Sequence, residues 1–237
     1  MYIALSVEYG RDDQLIFAQQ LGVDQVVMSV GSWDAETLAS AKNRVEKAAL
    51  TLAGLEGLPL DDADRAQTSL QAAGKAGIGL VAGAAHALGT RMATGRGGAL
   101  VGRRQHTAVN TNAVRQIIDT AAATGVQLAL SEDRPGAGID LDLSALDDID
   151  PVEEIRSYGA RLLMVRAGNI AAGREAFLNE GEVDLPGVLL ALQETGFTGP
   201  VRALPPPGMV GDSAWGHKGR AYDLGYLKAV LQTIESR

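Results

Sequence analysis

The stretch from Tyr2 to Val30, YIALSVEYGRDDQLIFAQQLGVDQVVMSV, reads as a strand, a helix and a second strand. Ile3–Val7 and Gln25–Val30 are short apolar runs rich in strand-forming residues. Asp13–Leu21 between them is amphipathic at helical spacing, and Gly22 stands just past its end. Two strands joined through a helix lie parallel, so the stretch is a βα unit and not a hairpin.

Outward from this stretch the unit recurs. Further strands are read at Thr51–Leu58, Gly79–Ala85, Gln127–Ser131, Ile139–Leu143, Arg161–Ala167 and Val201–Leu204. Helices are read at Ala35–Leu50, Asp62–Ala76, Asn112–Thr124, Pro151–Tyr158, Leu185–Thr195 and Arg220–Ile234. Asp34 and either Asp61 or Asp62 are placed as N-caps, and Gly77, Gly125, Gly159 and Gly196 follow helix ends. Eight strands with helices between them predict an α/β fold, a (β/α)8 TIM barrel formed by residues 1–237 as a single domain.

Two intervals depart from that regularity. Only seven residues, EDRPGAG, separate Ser131 from Ile139, whereas a parallel crossover takes a dozen or more. Either the helix between these strands is missing and the barrel is irregular around strands 5 and 6, or one of the two runs is not a parallel strand. The other departure is the Gly- and Arg-rich segment at 86–110. It follows the fourth strand, on the face where barrel enzymes build their sites. Its length suggests a lid or binding loop.

Composition excludes several classes of function. The chain has 237 residues, 46% of them hydrophobic and 4% aromatic, so its core is mostly aliphatic. A formal charge of −8 argues against a nucleic-acid or anionic-membrane surface. With no cysteine, disulfides, thiol nucleophiles and thiolate metal sites are excluded. No apolar run approaches the roughly 18 residues of a membrane span. MYIALSVEYG reads as a first strand without the features of a signal peptide, which points to a cytoplasmic protein.

The segments FLNEGEVDLPGVLLALQETGFTGPVR and GMVGDSAWGHKGRAYDLGYLKAVL carry a resemblance to the mannonate dehydratase family of xylose-isomerase-like TIM barrels. GKAGIGLVAG, GRGGA and YGRDD fit the same family. The resemblance implies a barrel dehydratase holding a divalent metal by His, Cys, His and Asp at strand ends. On this chain, which is shorter than a typical member, those positions fall on Ser131, on or beside Asp142, on Arg166 and on the pair Leu204–Pro205. One acidic ligand remains. The expectation is no cofactor, with Mg²⁺ or Mn²⁺ at Asp142 and Glu132 as the alternative, because carboxylates alone hold such ions weakly.

The candidate catalytic residues are His86, Asp142, Arg166 and Glu8. Asp142 and Arg166 are expected at neighbouring strand ends. There the guanidinium would replace the lost metal charge and hold a carboxylate or enolate, or the two would form a buried ion pair. His86 is placed at the end of strand 4 as a general base, or as a loop histidine bonded to backbone. Glu8 and Tyr9 end the first strand, facing the mouth. Arg91, Arg96, Arg103 and Arg104 make the long loop basic and attractive to a small anion, and Glu132, Arg202, Trp215 and His217 complete the binding set. Asp150 belongs to an acidic run read as helix capping.

The resulting expectation is a lyase or isomerase that works on a small anionic, carbohydrate-like molecule by general acid–base chemistry. The alternatives are a non-catalytic pseudoenzyme that binds a ligand or partner, and a Mg- or Mn-dependent sugar isomerase, epimerase or dehydratase. Neither nucleic acid nor membrane is expected as a partner. A homo-oligomer or partner subunit is expected, because a missing helix would leave apolar surface to cover.

Overall fold

The structure, a computed structural model, describes residues 1–83, 111–146, 149–203 and 213–236. In chain order the elements are β1 (Tyr2–Glu8), α1 (Asp12–Gln20), β2 (Gln25–Ser29), α2 (Ala35–Lys47), β3 (Thr51–Glu56), α3 (Ala63–Lys75) and β4 (Leu80–Gly83). They continue with α4 (Thr111–Thr124), β5 (Gln127–Leu130), β6 (Gly138–Asp142), α5 (Pro151–Tyr158), β7 (Leu162–Ala167), β8 (Asn169–Ala171) and β9 (Arg174–Ala176). The last three are α6 (Leu185–Glu194), β10 (Pro200–Ala203) and α7 (Ser213–Glu235).

Eight strands close into a parallel barrel in the order β1-β10-β7-β6-β5-β4-β3-β2. The fold is therefore the TIM barrel expected, with fewer than eight helices around it among the described residues. Helix ends follow the sequence signals. Asp34 accepts from Thr37 N–H at 2.8 Å, Asp62 caps α3, and Asp150 accepts from Val152 N–H at 2.9 Å. Helix α7 starts at Ser213, seven residues before the expected Arg220. Among the described residues, no helix is long and apolar enough to cross a membrane.

Alternation along the strands divides the molecule into two apolar layers. Inside the barrel Ala4, Val27, Leu80, Ala82, Ala129 and Met164 form a small cluster, with Tyr2, Ala53 and Leu163 against it. Register shifts in β3 and β7 bring Ala53 and Leu163 to that inner cluster. The larger layer lies between the outward strand faces and the helices, and contains Leu5, Val26, Leu38, Leu70, Ile117, Leu141, Ile155 and Leu189 among many others. Each such aliphatic side chain contributes about 1.5–3 kcal/mol of burial.

The interval between β5 and β6 resolves in favour of the missing helix. Both runs are strands and they pair in parallel, Ala129 with Gly138 and Leu130 with Ile139. The crossover is short because β6 starts level with the end of β5. The chain needs to step aside by only one strand and back by about one residue. Residues 134–137 form a type II turn: Ala137 N–H donates to Arg134 O at 3.1 Å, Pro135 stands second and Gly136 third, at φ +89°. Arg161 grips Asp133 through two hydrogen bonds of 2.6 and 3.0 Å and ties the loop to β7.

Helix α4 packs on β5, and the strand residues here are covered. The outward residues Leu128, Leu130, Ile139 and Leu141 are all 5% exposed or less. The apolar surface expected beside the missing helix is thus covered within the chain, and that ground for an oligomer falls away.

Beyond β7 lies a hairpin absent from the sequence reading, β8 against β9. Buried Asn169 organises it. Its side-chain amide donates to Leu178 O (2.9 Å) and Val183 O (3.2 Å), and its Oδ1 accepts from the backbone N–H of Ile170 and Val183. Asp223 on α7 accepts from Leu178 N–H at 3.0 Å, which fastens the same segment to the last helix.

Candidate functional site

The C-terminal end of the barrel gathers charge above the inner apolar cluster. Strands β3, β6, β7 and β10 send Glu56, Asp140, Asp142, Arg166 and Arg202 to its interior or rim. Arg202 is fully buried and spans the lumen. One Nη binds Glu56 on β3, and Nη2 donates to Asp140 Oδ1 on β6 at 2.8 Å. Sequence reasoning placed Arg202 among substrate-binding residues. The structure puts it beneath the opening, with both ends engaged.

Arg166 lies one strand over and closer to solvent. Its Nε is 3.2 Å from Asp140 Oδ2 and its Nη1 is 3.5 Å from Asp142 Oδ2, with 22% of the side chain exposed. The Nε makes no hydrogen bond among the described residues. Asp142 is 22% exposed and is also held by the turn that follows it, accepting from Ser144 N–H (3.0 Å) and Ser144 Oγ (2.6 Å). The expected Asp142–Arg166 neighbourhood is present. Asp140, which sequence reading passed over, is the carboxylate that links both arginines; its signal was the alternation in IDLD, which puts Asp140 and Asp142 on one face.

The remaining candidates are scattered. Glu8 ends β1, exposed, on the same inward parity as Ala4 and Ser6. Tyr9 turns outward, its hydroxyl donating to Ser40 Oγ at 3.1 Å and its ring under Arg44 at 5.5 Å. Glu132 pairs with Arg134 at 2.7 Å within the β5–β6 loop. His217 stacks on Phe17 of α1 with centroids 4.7 Å apart. His86, Arg91, Arg96, Arg103, Arg104 and the side chain of Trp215 lie outside the described residues, as does the Leu204–Pro205 position.

Besides Glu56 and Asp140, a third charged residue of this end was missed. Arg220, on α7, reaches over the rim between β1 and β10 and donates through Nη2 to Ser6 O. That carbonyl is available for a geometric reason. Tyr2 N–H donates to Gly199 O, so the even residues of β1 turn their backbone groups toward β10. The described ladder between them ends at Ala4–Arg202, two residues short of Ser6. Burial pulls the Arg220 guanidinium below its usual pKa, and Glu8 and Glu56 partly oppose this. Its Nε has no partner among the described residues, and neither has the nearby Ser6 Oγ.

The donors among the described residues do not suit a divalent metal. Asp142 and Glu132 belong to separate ion pairs, and two guanidinium groups stand beside the acidic residues of the barrel interior. Among the described residues, no three of His, Asp or Glu converge in a way that could hold an ion.

No family model matches the chain, and no curated protein matches it. Solved structures do. A mannonate dehydratase from Streptococcus suis serotype 2 is similar with a TM-score of 0.79 at 16% identity, over 100% of this chain and 94% of that one. A xylose isomerase domain protein from Planctomyces limnophilus is similar with a TM-score of 0.70 at 16% identity, over 100% and 99%. A D-psicose 3-epimerase from Clostridium cellulolyticum H10, solved with D-tagatose, gives 0.68 at 15% identity, over 98% and 99%. At these identities the likeness establishes the barrel fold.

Proposed function

We propose that this barrel is a relative of the mannonate dehydratases whose mouth binds a small carbohydrate-like acid and acts on it without a metal, as a lyase or isomerase. The observation that carries the reading is Arg166, a partly exposed guanidinium at the opening, paired through Nε with Asp140 and through Nη1 with Asp142. Such a group stabilises the oxyanion that develops when a proton leaves the carbon beside a carboxylate or carbonyl. Glu8 is the proton acceptor in this reading, because it stands exposed at the rim on the inward face of β1. Asp142, held by Ser144 and facing Arg166, fixes the guanidinium and is the second carboxylate within reach of the reacting group. The neighbours named for sugar dehydratases and epimerases support the substrate class.

The test is a thermal-shift and calorimetric screen of aldonates and uronates, followed by proton NMR in D₂O. An acid from the panel should bind and exchange the proton beside its carboxyl. Arg166→Ala should weaken binding about tenfold or more, and Glu8→Gln should abolish exchange while binding remains. Unchanged affinity in Arg166→Ala would refute the role given to the guanidinium.

A non-catalytic ligand-binding barrel is the second reading. It is favoured by the way Arg202 closes the lumen with Glu56 and Asp140, leaving an ion-paired plug below the mouth. Binding without exchange or product in the same screen selects it.

A further inference from the structure

We propose that Arg220 is the residue that recognises the acid group of the ligand, a specificity role distinct from that of Arg166; this rests on the reading of the mouth as a site for a small acid. The three arginines of the mouth differ in what they already hold. Arg202 is buried between Glu56 and Asp140. Arg166 stands between Asp140 and Asp142, so its positive charge is shared by two carboxylates. Arg220 makes no carboxylate ion pair among the described residues, and its direct partner is the uncharged carbonyl of Ser6.

A guanidinium has five N–H donors, and a carboxylate is matched best by a fork of two. Arg220 uses Nη2 on Ser6 O and keeps Nε buried and unbonded, with Ser6 Oγ, a further unbonded group, on the same strand residue. Partial burial makes a charge-assisted contact there stronger than one on the open surface. Glu8 and Glu56 are near enough to act on Arg220 electrostatically, so they favour its charged form without occupying its donors. The position is also fixed. Helix α7 packs on β1 and β10, and Asp223, one turn further along, is fastened to Leu178. Arg220 enters beside β1 and Arg166 projects from β7, the strands on either side of β10, so their backbones stand about 10 Å apart. A short acid chain can then lie with its carboxylate at Arg220 and its reacting carbon toward Arg166.

The experiment measures discrimination between charged and neutral partners of one shape. Full-length protein and the variants R220Q, R220K and R166Q are titrated calorimetrically with a panel of aldonates and their matched alditols, for example gluconate against glucitol, at low salt. For the wild type the acid should bind about tenfold or more tighter than the alditol. R220Q should bring the two affinities to within about twofold by weakening the acid alone, whereas R166Q should retain the preference. A full preference for the acid in R220Q overturns the assignment while leaving the reading of the mouth intact. If no acid of the panel binds the wild type, that reading fails and takes this one with it. Should R220Q not yield folded protein by circular dichroism, R220K decides: lysine keeps the charge but loses the fork, so the preference should fall by about threefold or more. An undiminished preference in R220K overturns the assignment.

Discussion

Arg202 Nη2 donates to Asp140 Oδ1 at 2.8 Å inside the barrel, joining β10 to β6 across the intervening β7. The other end of the same side chain is held by Glu56 of β3, so one residue links three strands through the lumen. The inner apolar layer is mostly small side chains, and this arginine fills the space above them.

Removing one partner of such a set leaves buried charge behind. Arg202→Ala should destabilise the protein by about 3–5 kcal/mol in urea unfolding. Arg202→Met combined with Glu56→Gln and Asp140→Asn should recover most of that loss, since the uncompensated carboxylates are then gone. Equal instability of the single and triple variants would mean that the uncompensated carboxylates do not set the cost.

Gly138 opens β6 at a point where a Cβ would overlap the Leu163 side chain and stand 3.1 Å from Arg161 O. Gly138→Ala should cost about 1–3 kcal/mol, as overpacking does. Adding Leu163→Ala should relieve part of this, so the double variant should be more stable than the sum of the singles. Strict additivity in a double-mutant cycle would dissociate the two residues.

Asp223 is buried, with Oδ2 unbonded among the described residues, and burial pushes its carboxyl up to about 6. The hydrogen bond from Leu178 N–H lowers it and nearby Glu180 raises it. A carboxyl whose folded pKa lies above its unfolded value of 3.8 binds its proton more tightly in the native state. Its stabilising contribution is therefore complete below about pH 4 and is lost as pH rises through about 6. Asp223→Asn, which keeps the acceptor for Leu178, should gain about 1–3 kcal/mol over the wild type at pH 8 and converge with it near pH 4. A stability difference that stays flat from pH 4 to 8 would count against the shift.

The barrel was legible because its signals are local and repeated: an N-cap such as Asp34, a positive-φ Gly22 or Gly196, and alternating strands between them. Even the missing helix was one of the two readings of the seven-residue interval between Ser131 and Ile139. The β8–β9 hairpin was not legible. Its two turn residues, Ala172 and Gly173, both have positive φ, and an alanine there gives no warning of the left-handed pair that a tight hairpin requires. At the site, position at a strand end pointed to Glu8, Asp142 and Arg166. It could not show that Tyr9 turns outward to Ser40, because Tyr9 lies just past the strand end, where alternation no longer governs direction. Arg220 was hidden for a different reason. A helix expected to begin there makes its arginine look terminal, whereas the real α7 starts at Ser213 and sets Arg220 two turns inside, against β1.

The seven-residue link between β5 and β6 has a consequence for the order in which the barrel assembles. Joining β4 to β5 means closing a segment of 43 residues, 84–126, while β5 meets β6 after closing only 131–137. By loop-closure entropy alone the shorter join is easier by about 1–2 kcal/mol. A Pro–Gly turn and the Arg161–Asp133 pair hold it at both ends. This strand pair should form early, as a nucleus on which α4 and β7 condense. Conservative truncations at Leu130 and Ile139 should then slow refolding, with φ-values above about 0.5, while equivalent changes at Val26 and Leu55 mainly speed unfolding. Low values at Leu130 and Ile139 would place the nucleus elsewhere.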